Sequence, residues 1–184
     1  MSRVLVLYAS THGHTARIAE RVAATLEATG IDIDLQRAGA GDPPPTGYDG
    51  VIVGASVHAG HHQKEIVAWA ERHHTCLGLR PSAFFSVCLT AADDTEESRI
   101  ATRAYLDEFT EATNWTPDRT ITFAGAIQYR EYDFATRLLI RLLMHKGGHP
   151  TDTSHDHDFT DWDAVEEFSR AFAARLALRE TTEA

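Results

Sequence analysis

Short apolar runs alternate along the chain with amphipathic stretches, and this alternation constrains the fold more than any other feature. Most of the runs are β-branched and aliphatic, as in strands that are buried on both faces. We predict strands at 3–9, 31–35, 50–56, 83–89 and 120–126, and helices at 15–29, 63–76, 97–113 and 161–178. Because parallel strands need crossover connections, this order predicts an α/β fold with five parallel strands and helices on both faces of the sheet.

Size and charge exclude several classes of protein. The chain has 184 residues, within the roughly 100–200 residues of a typical domain, so we expect one domain over 1–184. Asp and Glu number 27 against 17 Lys and Arg, and the resulting net charge of −10 repels polyphosphates. We therefore expect no nucleic-acid partner. The two cysteines, Cys76 and Cys88, cannot form a disulfide framework, which favours a reducing compartment.

The apolar segments give no sign of export or of a membrane span. Residues 4–9 are too short for a signal-peptide core, and no run reaches the ~18 apolar residues that a spanning helix needs. We therefore expect a cytoplasmic location. Peripheral contact with the inner face of the cell membrane and formation of a homo-oligomer both stay open at this stage.

The turn after the first strand is the strongest candidate for a ligand site, because ligands of open α/β sheets gather at the carboxyl ends of the strands. This turn joins a strand to a helix N-terminus, where free N–H groups and the helix dipole favour an anion. Its residues are Ser10, Thr11, His12, Gly13, His14 and Thr15. The alternative is that His14 or Thr15 only caps the helix.

The composition of this turn narrows the class of ligand. The dinucleotide fingerprint and the nucleoside triphosphate loop are both absent, and the turn contains no lysine. Three hydroxyl groups without a lysine suit a monophosphate, which indicates a mononucleotide such as FMN.

Residues 10–15 resemble the phosphate loop of flavodoxins, with His14 where the common pattern has asparagine or glutamine. Nearly the whole chain is similar to the menaquinone-dependent protoporphyrinogen IX dehydrogenases, which are flavodoxin-like protoporphyrinogen oxidases. The segments that carry this similarity are 53–57 with 60–61, 81–87, 115–119, 124–126, 147–148 with 151–153, and 160–162. The most discriminating part is the ending, Gly-Gly followed by Thr-Asp-Thr and Thr-Asp-Trp.

The resemblance implies a flavodoxin-like, doubly wound, five-stranded parallel sheet of order 2-1-3-4-5, with an amphipathic insertion at 127–149 after the fifth strand. It also implies that the FMN phosphate lies on residues 10–15 and that the flavin ring lies between two further turns. These turns contain Ser56, Val57 and His58, and Leu89, Thr90, Ala91 and Ala92. We assign no catalytic side chain, since the flavin is expected to be the sole redox centre.

The activity implied by the resemblance is FMN-dependent oxidation of protoporphyrinogen IX to protoporphyrin IX, a step of haem biosynthesis, with a menaquinone-type quinone as acceptor. The alternatives are an FMN-dependent quinone reductase with another electron donor and an electron-carrier flavodoxin. A carrier has no use for a cationic insertion, which favours the enzyme.

The insertion is more basic than the rest of the chain. Its four basic residues outnumber its two acidic residues and give +2 on a chain of −10. One interpretation is a helix packed on the domain with solvated arginines. The other is an element at a membrane interface or over the flavin, with Arg130, Arg137 and Arg141 meeting the substrate propionates.

Two features depart from the family pattern. His58 and Ala59 stand where a relative has an arginine and a tyrosine, and the acidic stretch 93–97 replaces a basic one. Acidic residues beside the flavin would repel propionates.

Eleven histidines raise the question of a metal site. The spacings typical of zinc ligands are absent, so we expect no metal and interpret most histidines as surface residues. His58 and His61 are the exceptions, because their turn is expected to face the flavin ring. Either could hydrogen-bond the flavin or relay a proton near neutral pH.

Overall fold

The computed structural model describes residues 2–39, 41–127 and 157–183. Its strands are β1 (Arg3–Ala9), β2 (Asp32–Arg37), β3 (Gly50–His58), β4 (His61–His62), β5 (Ser82–Cys88), β6 (Arg119–Ala124), β7 (Ala126–Ile127) and β8 (His157–Asp158). Its helices are α1 (His14–Glu27), α2 (Lys64–Leu77), α3 (Glu96–Thr113) and α4 (Trp162–Glu183).

The main sheet has the order β2-β1-β3-β5-β6, and these strands are parallel. This is the predicted order of the five long strands, so the predicted α/β fold is confirmed. Ala9 of β1 pairs with Ala55 of β3. Val87 of β5 pairs with Ser56 on one side and Phe123 on the other. The carboxyl ends of these strands therefore meet at one edge of the sheet.

Both faces of the sheet are buried, as the continuous apolar runs predict. Val4 and Val6 of β1 pack in a cluster with residues of α1 and α4. Leu5 and Leu7 of the same strand pack in the opposite cluster with residues of α2 and α3. Successive side chains of a strand point to opposite faces, so one apolar run supplies both layers of the core.

The third strand corrects a prediction. The sequence predicts a strand that ends at Ser56 and a turn at 56–58, whereas β3 continues to His58. Val57 and His58 pair antiparallel with β4, and the turn between these strands is made by Ala59 at φ 51° and Gly60 at φ 88°. Residues 56–58 therefore lie on a strand, and the turn follows them.

The ends of other elements also differ from the prediction. The fifth predicted strand ends at Ala124 rather than 126, and Ala126 belongs to the short strand β7, which pairs with β8. The last helix continues to Glu183, five residues beyond the predicted end.

The described residues just before and just after the segment 128–156 pair with each other. Ala126 pairs with Asp158, and Ile127 pairs with His157. Apart from Ile127, the predicted insertion 127–149 lies outside the described residues, and the interpretation of 1–184 as one domain stays a prediction. In the part of the chain that the structure describes, no helix is both long and apolar enough to span a membrane.

Gly54 of β3 provides a test of the packing. It pairs with Phe85 of β5, whose buried ring covers it so closely that a Cβ at position 54 would collide with the ring. We expect Gly54→Ala to displace this ring and to lower the free energy of unfolding by about 1–3 kcal/mol, as overpacking does. Urea denaturation measures the change.

Gly47→Ala is the matched control, because a Cβ at position 47 meets no heavy atom within 4 Å. We expect this variant to unfold at nearly the wild-type urea concentration. A Gly54→Ala protein as stable as the control would contradict the packing described here.

Candidate functional site

An open cavity of about 120 Å³ lies at the carboxyl ends of the strands. It is bounded by the turn after β1, the end of β3, the end of β5 and the residues after β6. The lining residues are Ser10, Thr11, His12, His14, Thr15, Ser56, Val57, His58, Val87, Cys88, Leu89, Gly125 and Ala126.

Nine of the thirteen residues predicted to bind the cofactor line this cavity. The other four are Gly13, Thr90, Ala91 and Ala92. Gly13 forms the bend of the turn at φ 82°, and residues 90–92 belong to a short 3-10 turn, Leu89–Ala92, after β5. The sequence interpretation missed Val87, Cys88, Gly125 and Ala126 as lining residues, although their positions at strand ends are the signal that could have identified them.

The turn after β1 is not explained by helix capping. Gly13 is the N-cap of α1 and has no side chain that could cap the helix, and the first turn of α1 contains no acidic residue. The Ser10 Oγ atom is buried and has no hydrogen-bond partner among the described residues. Since buried polar atoms normally have partners, this hydroxyl and the uncapped N–H groups suit an anionic ligand.

Two side chains from elsewhere in the sequence brace this turn. Gln63 Nε2 donates to Thr11 Oγ1 at 3.2 Å and also to Ser56 Oγ, so it joins the turn to the end of β3. Arg37 Nη2 donates to the Ser10 carbonyl oxygen at 3.0 Å. The turn itself has no lysine, but β2 supplies a cation directly behind it.

His14 is held by residues from the end of the chain. Its Nε2 lies 2.7 Å from Thr160 Oγ1, and the Thr160 hydroxyl donates to the Ala124 carbonyl oxygen at 2.8 Å. Asp158 Oδ1 lies 3.6 Å from the same Nε2. Burial lowers the pKa of His14, while the Asp158 carboxylate raises it and Arg17 lowers it further.

The structure separates the two histidines that were predicted to face the flavin. His58 lines the cavity, and its ring lies 6.1 Å from the ring of His12. His61 does not line it; its Nδ1 lies 2.6 Å from Glu108 Oε1 on the exposed side of the hairpin. A role for His58 at the ligand stays a prediction.

Comparison with known proteins identifies the family of the chain. The model of the flavodoxin domain family matches residues 5–154, which is most of the chain. The chain belongs to the flavodoxin family. Flavodoxin 2 from Bacillus cereus, in its oxidised form, superimposes with a TM-score of 0.60 at 19% identity over 95% of this chain and 99% of that one. This flavodoxin likeness confirms the fold.

Relatives with a named activity narrow the assignment within the flavodoxin family. The chain is 34% identical to protoporphyrinogen IX dehydrogenase [quinone] of Escherichia coli K12 over 93% of this chain and 94% of that protein. It is 35% identical to the protein of the same name from Leishmania major over 94% of this chain and 75% of that protein. The resemblance inferred from the sequence is confirmed.

Membership of the flavodoxin family implies a flavin, and the cavity can be tested for the fit. Ser10 Oγ, which has no partner in the part of the chain that the structure describes, and the start of α1 provide donors for a phosphate group. The residues present therefore fit a phosphorylated flavin.

His62 lies behind the cavity and does not line it. It is buried against the rings of Phe84 and Phe109, and its Nε2 lies 2.9 Å from Ser86 Oγ. Burial lowers the pKa of His62 to about 4, with Glu108 opposing the shift. The ring is therefore neutral in the folded protein at pH 5–7.

We expect His62 to make the folded state sensitive to acid. The unfolded chain binds this proton near the ordinary pKa of about 6.5. Between about pH 6.5 and 4 the unfolded state then holds more protons, so the free energy of unfolding falls with falling pH, by at most about 1.4 kcal/mol per pH unit. Urea denaturation at pH 7, 5.5 and 4.5 measures this slope.

His62→Gln is the control, because an amide can still bond to Ser86 but does not titrate. Other groups, such as His14, contribute equally to both proteins and cancel in the comparison. Equal pH dependence of the two proteins would show that His62 carries no such linkage.

Proposed function

We propose that this protein oxidises protoporphyrinogen IX to protoporphyrin IX with bound FMN as the redox group and a quinone as the electron acceptor. The observation that carries the proposal is the similarity to the Escherichia coli protein, which extends over 93% of this chain and 94% of the relative. The match to the flavodoxin domain family extends over residues 5–154 and so includes the segments that line the cavity.

The phosphate of FMN is proposed to bind to residues 10–15. Ser10 Oγ would donate to a phosphate oxygen and gain the partner that it lacks among the described residues. The hydroxyls of Thr11 and Thr15 line the same cavity, and the N-terminus of α1 adds its dipole. FMN, when bound, supplies two-electron redox chemistry, and three such oxidations separate protoporphyrinogen IX from protoporphyrin IX.

The flavin ring is proposed to lie between residues 56–58 and residues 89–92. These segments are neighbours because Ser56 pairs with Val87 in the sheet. Main-chain groups at the ends of β3 and β5 would orient the ring and tune its electronics by hydrogen bonds. Gln63 would keep the turn after β1 and the end of β3 at a fixed separation.

The acidic stretch after β5 is partly neutralised in the structure. Arg99 Nη2 lies 2.6 Å from Asp94 Oδ1, and Arg99 Nη1 lies 3.2 Å from Glu96 Oε2. One arginine on α3 thus pairs with two of the carboxylates that could repel a propionate. These ion pairs offset part of the negative charge of the stretch 93–97, so this stretch would repel a propionate less than the sequence alone implies.

The substrate contacts remain part of the proposal. Arg130, Arg137 and Arg141 lie outside the described residues, and we propose that they meet the propionates of the porphyrinogen. Peripheral contact of this segment with the cytoplasmic membrane, where a lipophilic quinone would be available, belongs to the same proposal.

Ser10→Ala tests the phosphate site. We expect this variant to bind FMN more weakly by about 1.5–3 kcal/mol, or roughly 10- to 150-fold in Kd, because it loses a hydrogen bond to a charged group. The apoprotein should be as stable as wild type or slightly more so, since the variant removes a buried hydroxyl that has no hydrogen-bond partner within residues 2–39, 41–127 and 157–183. Flavin fluorescence titration and urea denaturation measure the two effects.

Ser169→Ala is the matched control. Ser169 is also buried, but its hydroxyl donates to the Val165 carbonyl oxygen within α4 and it does not line the cavity. It should leave FMN affinity unchanged. Equal FMN affinity of the Ser10→Ala and wild-type proteins would contradict the proposed phosphate site.

Anaerobic turnover tests the reaction and separates the alternatives. We expect the FMN-loaded protein to form protoporphyrin IX, detected by its fluorescence, only when protoporphyrinogen IX and a menaquinone analogue are both present. Free FMN at the same concentration is the control. Bleaching of the flavin by NAD(P)H would favour a quinone reductase instead, and a protein that binds FMN but turns over neither donor would favour an electron carrier.

A further inference from the structure

Two buried polar atoms of the turn after β1 have no hydrogen-bond partner among the described residues. They are Ser10 Oγ and His14 Nδ1. Their residues are 8% and 6% exposed, and both residues line the cavity. Since buried polar atoms normally have partners, this pair points to a ligand that bonds to both.

The hydrogen bonds of His14 determine which ring nitrogen carries the proton in the neutral side chain. The single hydroxyl hydrogen of Thr160 goes to the Ala124 carbonyl oxygen at 2.8 Å. Thr160 Oγ1 must therefore accept from His14 Nε2, which lies 2.7 Å away. With the proton on Nε2, the neutral ring has only a lone pair at Nδ1.

A phosphate monoester does not suit that lone pair. Near neutral pH the group is mostly a dianion, since its second pKa is about 6, and its oxygens only accept hydrogen bonds. Two acceptors repel each other, whereas a protonated Nδ1 would donate a charge-assisted hydrogen bond to a phosphate oxygen. Ser10 already has a hydroxyl hydrogen to donate and needs no further proton.

The charged groups around His14 favour an additional proton once an anion is present. Asp158 of β8 lies 3.6 Å from Nε2 and stabilises a positive ring. Arg17 of α1 disfavours a positive charge on the His14 ring. Its Nη2 atom, however, lies 3.4 Å from Asp158 Oδ2, and this ion pair offsets part of the charge of Arg17. From α4 the neighbour is the uncharged ring of Trp162, 6.1 Å away.

Two further histidines, His12 of the turn and His58 of β3, line the same cavity. Before an anion binds, burial lowers the pKa of His14, so that this ring is neutral at pH 7. An anion in the cavity would instead raise the pKa of His14 and favour its protonated form.

We propose that His14 takes up one proton from solvent when a phosphate monoester binds, so that the cavity accepts its ligand as a phosphate dianion together with one proton. The inference rests on the proposed function for the choice of FMN as the ligand.

The pH dependence of FMN affinity tests this inference. We expect the Kd of the full-length wild-type protein, measured by flavin fluorescence between pH 6 and 8.5, to rise above about pH 7 by up to tenfold per pH unit, the limit for one linked proton. Calorimetry at pH 8 in two buffers of different ionisation enthalpy should give close to one proton taken up per FMN. Riboflavin, which lacks the phosphate, should bind without this uptake.

His14→Asn is the decisive variant, because an amide donates a hydrogen bond without titrating. We expect its Kd for FMN to be flat between pH 7 and 8.5, with no proton uptake, while His12 and His58 remain the same in both proteins. A flat wild-type Kd, or an unchanged slope in His14→Asn, would overturn the inference and leave the proposed function intact. Absence of FMN binding at every pH would overturn both.

Discussion

The parallel pairing of β1, β3, β5 and β6 is the interaction on which the cavity depends. Its register brings the last residues of these strands to one edge, and Gly13 then turns the chain directly from β1 into the N-terminus of α1. A shift of one residue in any strand would exchange the side chains that pack in the two buried clusters, so the packing of both clusters favours the observed register. The position of the turn after β1 relative to β3 and β5 is thus a consequence of core packing.

The strands, their order and the turn that lines the cavity could be predicted because each has a local signal in the sequence. Apolar runs mark the buried strands, and a hydroxyl-rich segment with a glycine after the first strand predicts a turn suited to an anion. The segments proposed to face the flavin rest on family resemblance rather than on the residues themselves. Residues 90–92 belong to a 3-10 turn and do not line the cavity, so their contact with the flavin stays a prediction.

No local pattern in the sequence predicts the hairpin of β3 and β4. It depends on Ala59 in the left-handed region, which few residues other than glycine adopt. Gln63 follows this hairpin, and its contacts with Thr11 and Ser56 exist only because the hairpin brings it back to the site. Arg37 likewise reaches Ser10 through strand pairing, which no local pattern reveals.

His14 shows most clearly why the chemistry of a turn is not a property of the turn alone. Its partner Thr160 is 146 residues away in the sequence, next to the β8 strand that pairs with β7. The asparagine or glutamine of the common flavodoxin pattern can donate to a phosphate at any pH. Histidine in this place, with the Nε2 proton donated to Thr160, can donate a second hydrogen bond to an anion only from a protonated ring. The same position in the fold therefore holds a different chemistry, and the difference arises from residues at the far end of the chain.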